Sequence, residues 1–290
     1  MGRFIQYMTQ GSLYSGEFGG KAGWPAAGMG DVIITDSGKL IVVDGGYECD
    51  ANGLVSLLES NSVNAKPTVD LWIITRPHED HYGALKKIIE SHSLCSRVEV
   101  KKIIFDFPME FKDESGRIGA LEEINNEMKT ICKSLNAISY SPSRGEKICI
   151  DDVELEFLFV PDDCSIFNSS GNNFNLCSLI FSVSGKNKRV MITGDAYRPS
   201  MQITAFRYGK SLKCDALQMP HHALCDSYCV DFYNFVAPDI IFMPISEAGY
   251  RAMHDSKRVG EGIAANLMIE SKAQTVYRAF DGTFELDILP

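Results

Sequence analysis

A chain of 290 residues that is 45% hydrophobic and 10% aromatic can bury a large core, which excludes a disordered protein. Its formal net charge of −10 does not favour a nucleic acid partner, although a local basic patch would permit one. The sequence contains no run of about 18 apolar residues, so it predicts no membrane-spanning helix. The first residues lack the apolar core of a secretory signal, and the nine cysteines contain no CxxC pair, so we expect a cytoplasmic protein with reduced thiols.

The first half of the chain reads as strands followed by helices. Short β-branched runs at 31–36 and 40–44 are joined by Ser-Gly-Lys and predict a hairpin. Hydrophobic periodicity then predicts a helix, a buried strand and two more helices, at 52–60, 69–75, 81–93 and 118–135.

The second half repeats this order. Apolar runs predict five strands, at 153–160, 176–183, 188–194, 215–219 and 239–245. Helical patterns lie at 200–208, 227–236 and 259–271. The segment 275–288 predicts a closing hairpin through Asp-Gly. We therefore expect an α+β fold in which two sheets pack face to face between helical layers, as one continuous domain over residues 1–290.

The segment Thr75–Ala84, "TRPHEDHYGA", follows a buried strand and contains two histidines and two carboxylates in four consecutive positions. A loop at the end of a buried strand is held rigidly and can direct His78, Asp80 and His81 at one ligand. Imidazole and carboxylate groups together suit zinc, manganese or iron. The alternative is an ordinary helix start, capped by Thr75 or Asp80.

Two further strand ends carry metal-binding residue types. "MITGDAY" places Asp195 after a glycine, and "LQMPHHAL" places His221 and His222 after another apolar strand. Asp195 alone is more typical of a turn residue than of a ligand. Three such strand ends in one chain nevertheless favour a single metal site at a shared rim.

Five segments resemble the metallo-β-lactamase-fold hydrolases, in order and across almost the whole chain: "GMGDVIITDSGKLIVVDGG", "TRPHEDHYGAL", "KRVMITGDA", "DALQMPHHA" and "VYRAFDGTFEL". Within that superfamily the similarity points to the branch with the metallo-β-lactamase-like domain of bacterial DNA-uptake competence proteins and the choline-phosphate esterases. The resemblance implies a four-layer αβ/βα sandwich with metal at one edge of the two sheets. It does not fix the substrate, because one fold serves many reactions.

The family pattern at the first block is His-x-His-x-Asp-His, and Arg76 stands here in place of the first histidine. The resemblance implies that the second of the family's two metal sites is complete in this chain. Its ligands would be Asp80, His81, Asp195 and one of His221 and His222, with His222 preferred.

The first metal site of the family is incomplete in this sequence. It keeps only His78 and the shared Asp195, and Cys177 stands near the position of the missing later histidine. A lone cysteine there is more typical of core packing than of a ligand. We therefore expect one or two divalent ions with unequal occupancy, with zinc first and manganese or iron as alternatives.

Arg76 has two interpretations. It can hold an anionic substrate oxygen, or it can pair with Glu79 or Asp80 in a structural role. A metal-activated water would carry out hydrolysis, with Asp80 also orienting the water and His221 acting as general acid. His254, in "GYRAMHD", either contacts the substrate or lies in a surface loop.

These features predict a metal-dependent hydrolase of a phosphate ester or a phosphodiester, so the expected partner is a small-molecule or phosphoester substrate. A second hypothesis is a degenerate member that serves as a binding or regulatory module, and a lactamase or thioesterase is a weaker one. Five aromatic residues in Gly- and Ser-rich segments are candidates for a cleft lining: Tyr14, Phe18, Trp24, Phe167 and Phe174. Most of them are expected to be packing residues.

Overall fold

The computed structural model describes residues 2–13, 27–107, 119–161, 174–224, 227–255, 257 and 260–289. Of the five aromatic residues proposed for a cleft, only Phe174 lies in these ranges. The other four, Tyr14, Phe18, Trp24 and Phe167, lie outside the described residues.

The first sheet is built from both ends of the chain. Its strands in the described ranges are β1 (Arg3–Gln6), β2 (Gly30–Ile34), β3 (Leu40–Asp44), β4 (Thr68–Ile73), β5 (Glu99–Val100), β6 (Lys102–Ile104), β7 (Ile138–Tyr140) and β15 (Phe284–Asp287). They lie in the order β15-β1-β2-β3-β4-β6-β7, with β5 beside β4. Strands from β15 to β3 are antiparallel, whereas β3, β4, β6 and β7 are parallel. Its helices are α1 (Ala51–Asn61), α2 (Glu79–Glu90), α3 (His92–Cys95) and α4 (Gly119–Leu135).

The second sheet has the same arrangement of antiparallel strands followed by parallel ones. Its strands are β8 (Lys147–Ile150), β9 (Val153–Phe159), β10 (Ile180–Ser184), β11 (Arg189–Ile192), β12 (Ala216–Gln218), β13 (Ile240–Met243) and β14 (Thr275–Arg278). They follow one another in the sheet in chain order, and β11 to β14 are parallel. Its helices are α5 (Arg198–Tyr208), α6 (Val230–Val236), α7 (Glu247–Met253) and α8 (Glu261–Lys272).

Each sheet separates two hydrophobic layers, because successive side chains of a strand point to opposite faces. In β3, Leu40 and Val42 pack in the cluster that contains the helices, whereas Ile41 and Val43 pack in the cluster between the sheets. β3 is therefore apolar from Leu40 to Val43, as a strand buried on both faces must be. The four-layer αβ/βα sandwich expected from the sequence is confirmed.

The predicted closing hairpin at 275–288 is wrong. β14 pairs with β13 in the second sheet, and β15 pairs with β1 in the first sheet, so the two segments do not pair with each other. A 3-10 turn at Ala279–Asp281 and an extended Gly282 carry the chain from one sheet to the other. The strand predicted at 176–183 also begins later, because a 3-10 turn occupies Phe174–Cys177.

In the described part of the chain, no helix combines the length and the apolar character that crossing a membrane requires. The longest amphipathic helix, α4, has 17 residues and places Met128 and Ile131 in the helix-side core.

Candidate metal centre

The polar residues after several buried strands meet at one edge of the sandwich, where parallel strands of both sheets end. From the first sheet, Thr75 and Arg76 follow β4, and Asp80 and His81 lie in the first turn of α2. From the second sheet, Asp195 follows β11 and His222 follows β12. The structure thus brings together residues that are 142 positions apart in the chain.

Four of these residues form a compact buried cluster. Asp80, His81, Asp195 and His222 each offer one ligand atom, and these atoms all lie within 4.8 Å of one another. His81 Nε2 lies 3.5 Å from Asp80 Oδ2 and 3.3 Å from Asp195 Oδ1. His222 Nε2 lies 3.1 Å from the same Asp80 oxygen and 3.6 Å from the same Asp195 oxygen.

These spacings fit a divalent ion held by all four residues. In a tetrahedral site with bonds of about 2.0–2.1 Å, neighbouring ligand atoms lie about 3.3–3.4 Å apart. The four distances bracket this value. In addition, His81 Nε2 and Asp195 Oδ1 receive no hydrogen bond from any described residue, although both are fully buried. Buried polar atoms are rarely left without a partner, so this pair of atoms points to a ligand.

His81 is oriented by Asp44, a residue that was not among the candidates named from the sequence. His81 Nδ1 lies 2.8 Å from Asp44 Oδ2, and both residues are fully buried. Asp44 also accepts hydrogen bonds from the backbone N–H and the hydroxyl of Thr75, both at 2.8 Å. A proton on Nδ1 shared with the carboxylate leaves Nε2 facing the cluster, as ligating histidines require. The signal for Asp44 was its position after a buried strand, in "VVDGG".

His222 is oriented by a backbone carbonyl. Its Nδ1 donates to the oxygen of Pro244 at 2.7 Å, which directs Nε2 at Asp80. The backbone around it is unusual, because His221, His222 and Ala223 all have left-handed φ values, of 46°, 53° and 58°. Such a conformation is costly for residues other than glycine and clusters at functional sites.

Arg76 is buried against both carboxylates. Its side chain is 3% exposed, and its guanidinium pairs with Asp195 Oδ2 at 2.7 Å and with Asp80 Oδ1 at 3.3 Å. The structural pairing with Asp80 was one of the two expected interpretations. The contact with Asp195 connects the first sheet to the second and was not expected.

The charges of the cluster shift its pKa values strongly. Burial opposes a charged His81, but the carboxylates of Asp44, Asp80 and Asp195 raise the pKa of His81 to about 10. Burial also opposes ionised carboxylates, yet the positive charges of His81 and Arg76 hold the pKa of Asp80 well below its usual range. The ionised carboxylates therefore favour a positive charge between them, either the proton on His81 or a metal ion that replaces it.

His78, predicted as a ligand, does not join the four-residue cluster among the described residues. Its ring contacts Phe174 edge-on at 5.6 Å between centroids. Burial and the nearby Arg76 lower the pKa of His78 to about 3, so it is neutral. It lines a cleft of about 500 Å³ that reaches Asp80 and is also lined by Tyr47, Glu79, Glu123 and Phe174. Its role as a metal ligand stays a prediction.

The structure separates the remaining candidates. His221 lies at the edge of the cluster, with Nε2 at 3.5 Å from Asp195 Oδ2. Cys177 is fully buried in the helix-side hydrophobic core, which fits the packing interpretation. His254 is exposed, and its Nε2 pairs with Glu270 Oε2 of α8 at 3.0 Å.

A sequence model described as the metallo-beta-lactamase superfamily matches residues 31–170. This range contains Asp44, Arg76, Asp80 and His81, but not the second-sheet residues of the cluster. A comparison with curated protein sequences gives no significant match.

Solved structures show that the whole fold is shared. The metallo-beta-lactamase fold protein YhfI from Bacillus subtilis aligns with a TM-score of 0.55 at 10% identity, covering 99% of this chain and 100% of YhfI. The Zn²⁺-bound PqqB from Methylobacterium extorquens gives 0.59 at 9% identity, with 99% and 100% covered. CmlA, a diiron beta-hydroxylase from Streptomyces venezuelae, gives 0.52 at 11% identity, with 98% of this chain and 54% of CmlA covered.

Proposed function

We propose that this chain is a metal-dependent hydrolase of the metallo-β-lactamase superfamily and that it acts on a small phosphate ester. One observation carries the proposal. Four buried ligand atoms, from Asp80, His81, Asp195 and His222, lie within 4.8 Å of one another at spacings that suit a divalent ion.

The four residues would hold a divalent ion, with zinc as the first candidate and manganese or iron as alternatives. Such an ion supplies a Lewis acid and activates water for attack at neutral pH. Both oxygens of Asp80 are engaged, one facing the two histidines and the other paired with Arg76. We therefore assign Asp80 as a ligand rather than as a base that takes up a proton.

His221 is our candidate for the proton donor. Its Nε2 lies 3.5 Å from Asp195 Oδ2 and 3.3 Å from Asn175 Nδ2, and its side chain is 14% exposed, so it borders both the cluster and solvent. In the proposed reaction, water forms a new P–O bond and the ester P–O bond breaks. His221 donates a proton to the leaving alkoxide, and the proton lost by the attacking water returns the histidine to its starting state.

The negative charge of the cleft beside the cluster favours a small substrate over a polyanion. Glu79 and Glu123 line it, and the net charge of −10 acts in the same direction, so a nucleic acid strand would meet repulsion. A single phosphate ester brings only one anionic group to the centre. None of the three similar structures is described as a competence protein or a choline-phosphate esterase, so that finer branch stays a prediction.

A relative that is described as a diiron hydroxylase raises an oxygenase as the competing activity. Two irons need two sets of ligands, whereas the described residues offer one four-residue cluster. A binding or regulatory module without catalysis is the other alternative, and it would retain the fold without turnover.

The test is hydrolysis by the metal-loaded protein. The chain is reconstituted with zinc or with manganese and assayed against a panel of phosphomonoesters, phosphodiesters and acyl esters. We expect turnover of a phosphoester and its loss in Asp80→Ala and His81→Ala, because each change removes a ligand. His92→Ala is the matched control, since His92 is an exposed histidine that begins α3, directly after the helix with Asp80 and His81.

Metal content must be measured in every sample. Absence of turnover across the whole panel by protein that retains its metal would refute the hydrolase and favour the binding module. Turnover of acyl esters alone would keep the hydrolase and refute the phosphoester substrate.

A further inference from the structure

In each of the two carboxylates of the cluster, the two oxygens face different groups. Asp80 Oδ2 and Asp195 Oδ1 face the two histidine nitrogens, at 3.1–3.6 Å. Their other oxygens, Asp80 Oδ1 and Asp195 Oδ2, face the guanidinium of Arg76 at 3.3 Å and 2.7 Å. Each carboxylate thus has one oxygen on the side of the four-residue site and one on the side of a fixed positive charge.

We infer that Arg76 takes the place of a second metal ion, so that this centre binds a single ion. The inference rests on the metal site of the proposed function, but not on turnover. A guanidinium keeps its charge at all accessible pH values and cannot ligate a cation. Arg76 is 3% exposed, so its charge is screened little by water and acts fully on its neighbours.

A second ion would have to compete with this arrangement for the same oxygen. The sequence resemblance implies that Asp195 corresponds to the family's bridging carboxylate, and Asp195 Oδ2 is already paired with Arg76 at 2.7 Å. The ion would also bring two positive charges next to a buried cation, which is strongly unfavourable unless the arginine leaves. The remaining candidates do not compensate, because Cys177 packs in the helix-side core and His78 lies outside the cluster of described ligands.

Arg76 is therefore a positioning residue rather than a group that binds substrate. By holding Asp80 Oδ1 and Asp195 Oδ2, it directs the opposite oxygen of each carboxylate at His81 and His222. It does so across the two sheets, since Asp80 belongs to the first half of the fold and Asp195 to the second. The family pattern has a histidine of the first metal site at this position, whereas this chain has the fixed positive charge of Arg76.

The test is metal stoichiometry, measured without any substrate. The full chain is stripped with a chelator, reconstituted with zinc and passed through a desalting column, and zinc per chain is measured by mass spectrometry. We expect about one ion per wild-type chain, as for a site with one ligand set. The manganese-loaded protein should give the electron paramagnetic resonance spectrum of isolated Mn²⁺ rather than that of an exchange-coupled pair.

Arg76→His should raise the ratio to about two ions per chain and produce the coupled manganese signal, because it removes the repulsion and supplies an imidazole. It also frees Asp195 Oδ2, which lies 3.5 Å from His221 Nε2. Arg97→His is the matched control: Arg97 is a surface arginine paired with Glu59, and its replacement should leave the ratio at about one.

Two similar zinc affinities in the wild-type chain would overturn the inference, as would a well-folded Arg76→His protein that still binds one ion. If Arg76→His does not fold, Arg76→Lys keeps the charge and should still hold one ion, so that a ratio of two in this variant would also contradict the inference. If the wild-type chain binds one ion but shows no turnover, the proposed hydrolase is refuted and the inference about Arg76 still stands.

Discussion

The two halves of the sandwich have the same order of strands, but they position their ligands in different ways. In the first half, Asp80 and His81 sit in the first turn of a regular helix, and a hydrogen bond with Asp44 fixes the His81 ring. In the second half, His222 lies in a loop with left-handed backbone, and Asp195 follows Gly194, which has φ +50°.

The two halves therefore differ in where their free-energy cost lies. The first half needs a buried carboxylate, Asp44, whose desolvation is offset by three hydrogen bonds at 2.8 Å. The second half needs three consecutive left-handed residues that are not glycine, whereas the first half has Asp44 in this conformation, with φ 56°. Each such residue costs on the order of 1 kcal/mol. Side-chain substitutions should therefore damage the first half, and backbone substitutions should damage the second.

The largest effect should come from Gly194→Ala in the second half. A Cβ on Gly194 would lie 2.7 Å from Thr75 Oγ1 and 2.9 Å from Thr75 Cβ, in addition to the strained φ. We expect the free energy of unfolding of the metal-free protein to fall by about 2–4 kcal/mol, from strain and overpacking together. Chemical denaturation followed by circular dichroism measures this change.

Gly145→Ala is the matched control for that experiment. Gly145 has φ +79°, but a Cβ there would meet no described atom within 4 Å. It should cost only the free energy of the strained backbone, about 1–2 kcal/mol. Equal losses in the two variants would show that the contact between Gly194 and Thr75 does not matter, and that the two halves are not coupled at this point.

Asp44→Asn should give the next largest effect, and it acts on the first half. The amide keeps the shape of the carboxylate but loses the charge that holds the His81 proton on Nδ1. We expect zinc affinity, measured by competition with a chromogenic chelator, to fall by about 10–100-fold, as for other partners of ligating histidines. An unchanged affinity would mean that the helix start alone orients His81.

Asp31→Asn controls for the burial of Asp44. Asp31 is 2% exposed on the neighbouring strand β2, and it is not one of the four residues of the cluster of described ligands. Burial and the nearby Asp44 raise the pKa of Asp31 well above its usual range, and an amide keeps the size and shape of the carboxyl group. Zinc affinity should stay within experimental error of the wild type.

The sequence predicted which strand ends meet in the four-residue cluster, because each of these residues follows an apolar run. The segments "TRPHEDHYGA", "MITGDAY" and "LQMPHHAL" contain all four residues of the cluster, Asp80, His81, Asp195 and His222. Local sequence could not reveal that Arg76 reaches Asp195, since the two residues belong to different sheets and lie far apart in the chain.

Failures in predicting the fold have a similar cause. The segment 275–288 has the local pattern of a hairpin, with Asp-Gly between two β-rich runs. Its strands instead pair with β13 and β1, since each sheet has an edge where a further strand adds backbone hydrogen bonds. Asp44 was missed because a lone carboxylate after a strand is common, and only its contact with His81 at 2.8 Å distinguishes it.

The smallest predicted effect tests how the two halves are joined at the end of the sandwich away from the metal centre. Asp151, in the turn before β9, accepts hydrogen bonds from Thr35 at 2.8 Å and from Ser37, and it pairs with Lys39, all at the β2–β3 turn. These bonds, the one from Lys39 first, lower the pKa of Asp151 to about 2. A carboxylate whose pKa is lowered by folding stabilises the protein above its unfolded-state pKa of about 4, and this contribution is lost as the pH falls through about 2.

Asp151→Asn should therefore lower the urea midpoint at pH 6 slightly, without changing the slope of the transition, because exposed ion pairs contribute little. The difference from the wild type should shrink between about pH 4 and pH 2, where the wild-type carboxylate becomes protonated. Asp152→Asn is the neighbouring control, since Asp152 accepts a long bond of 3.3 Å from the Asp36 N–H. A difference that persists unchanged at about pH 2 would show that Asp151 acts through its shape rather than its charge, and that the far ends of the two sheets are joined by packing.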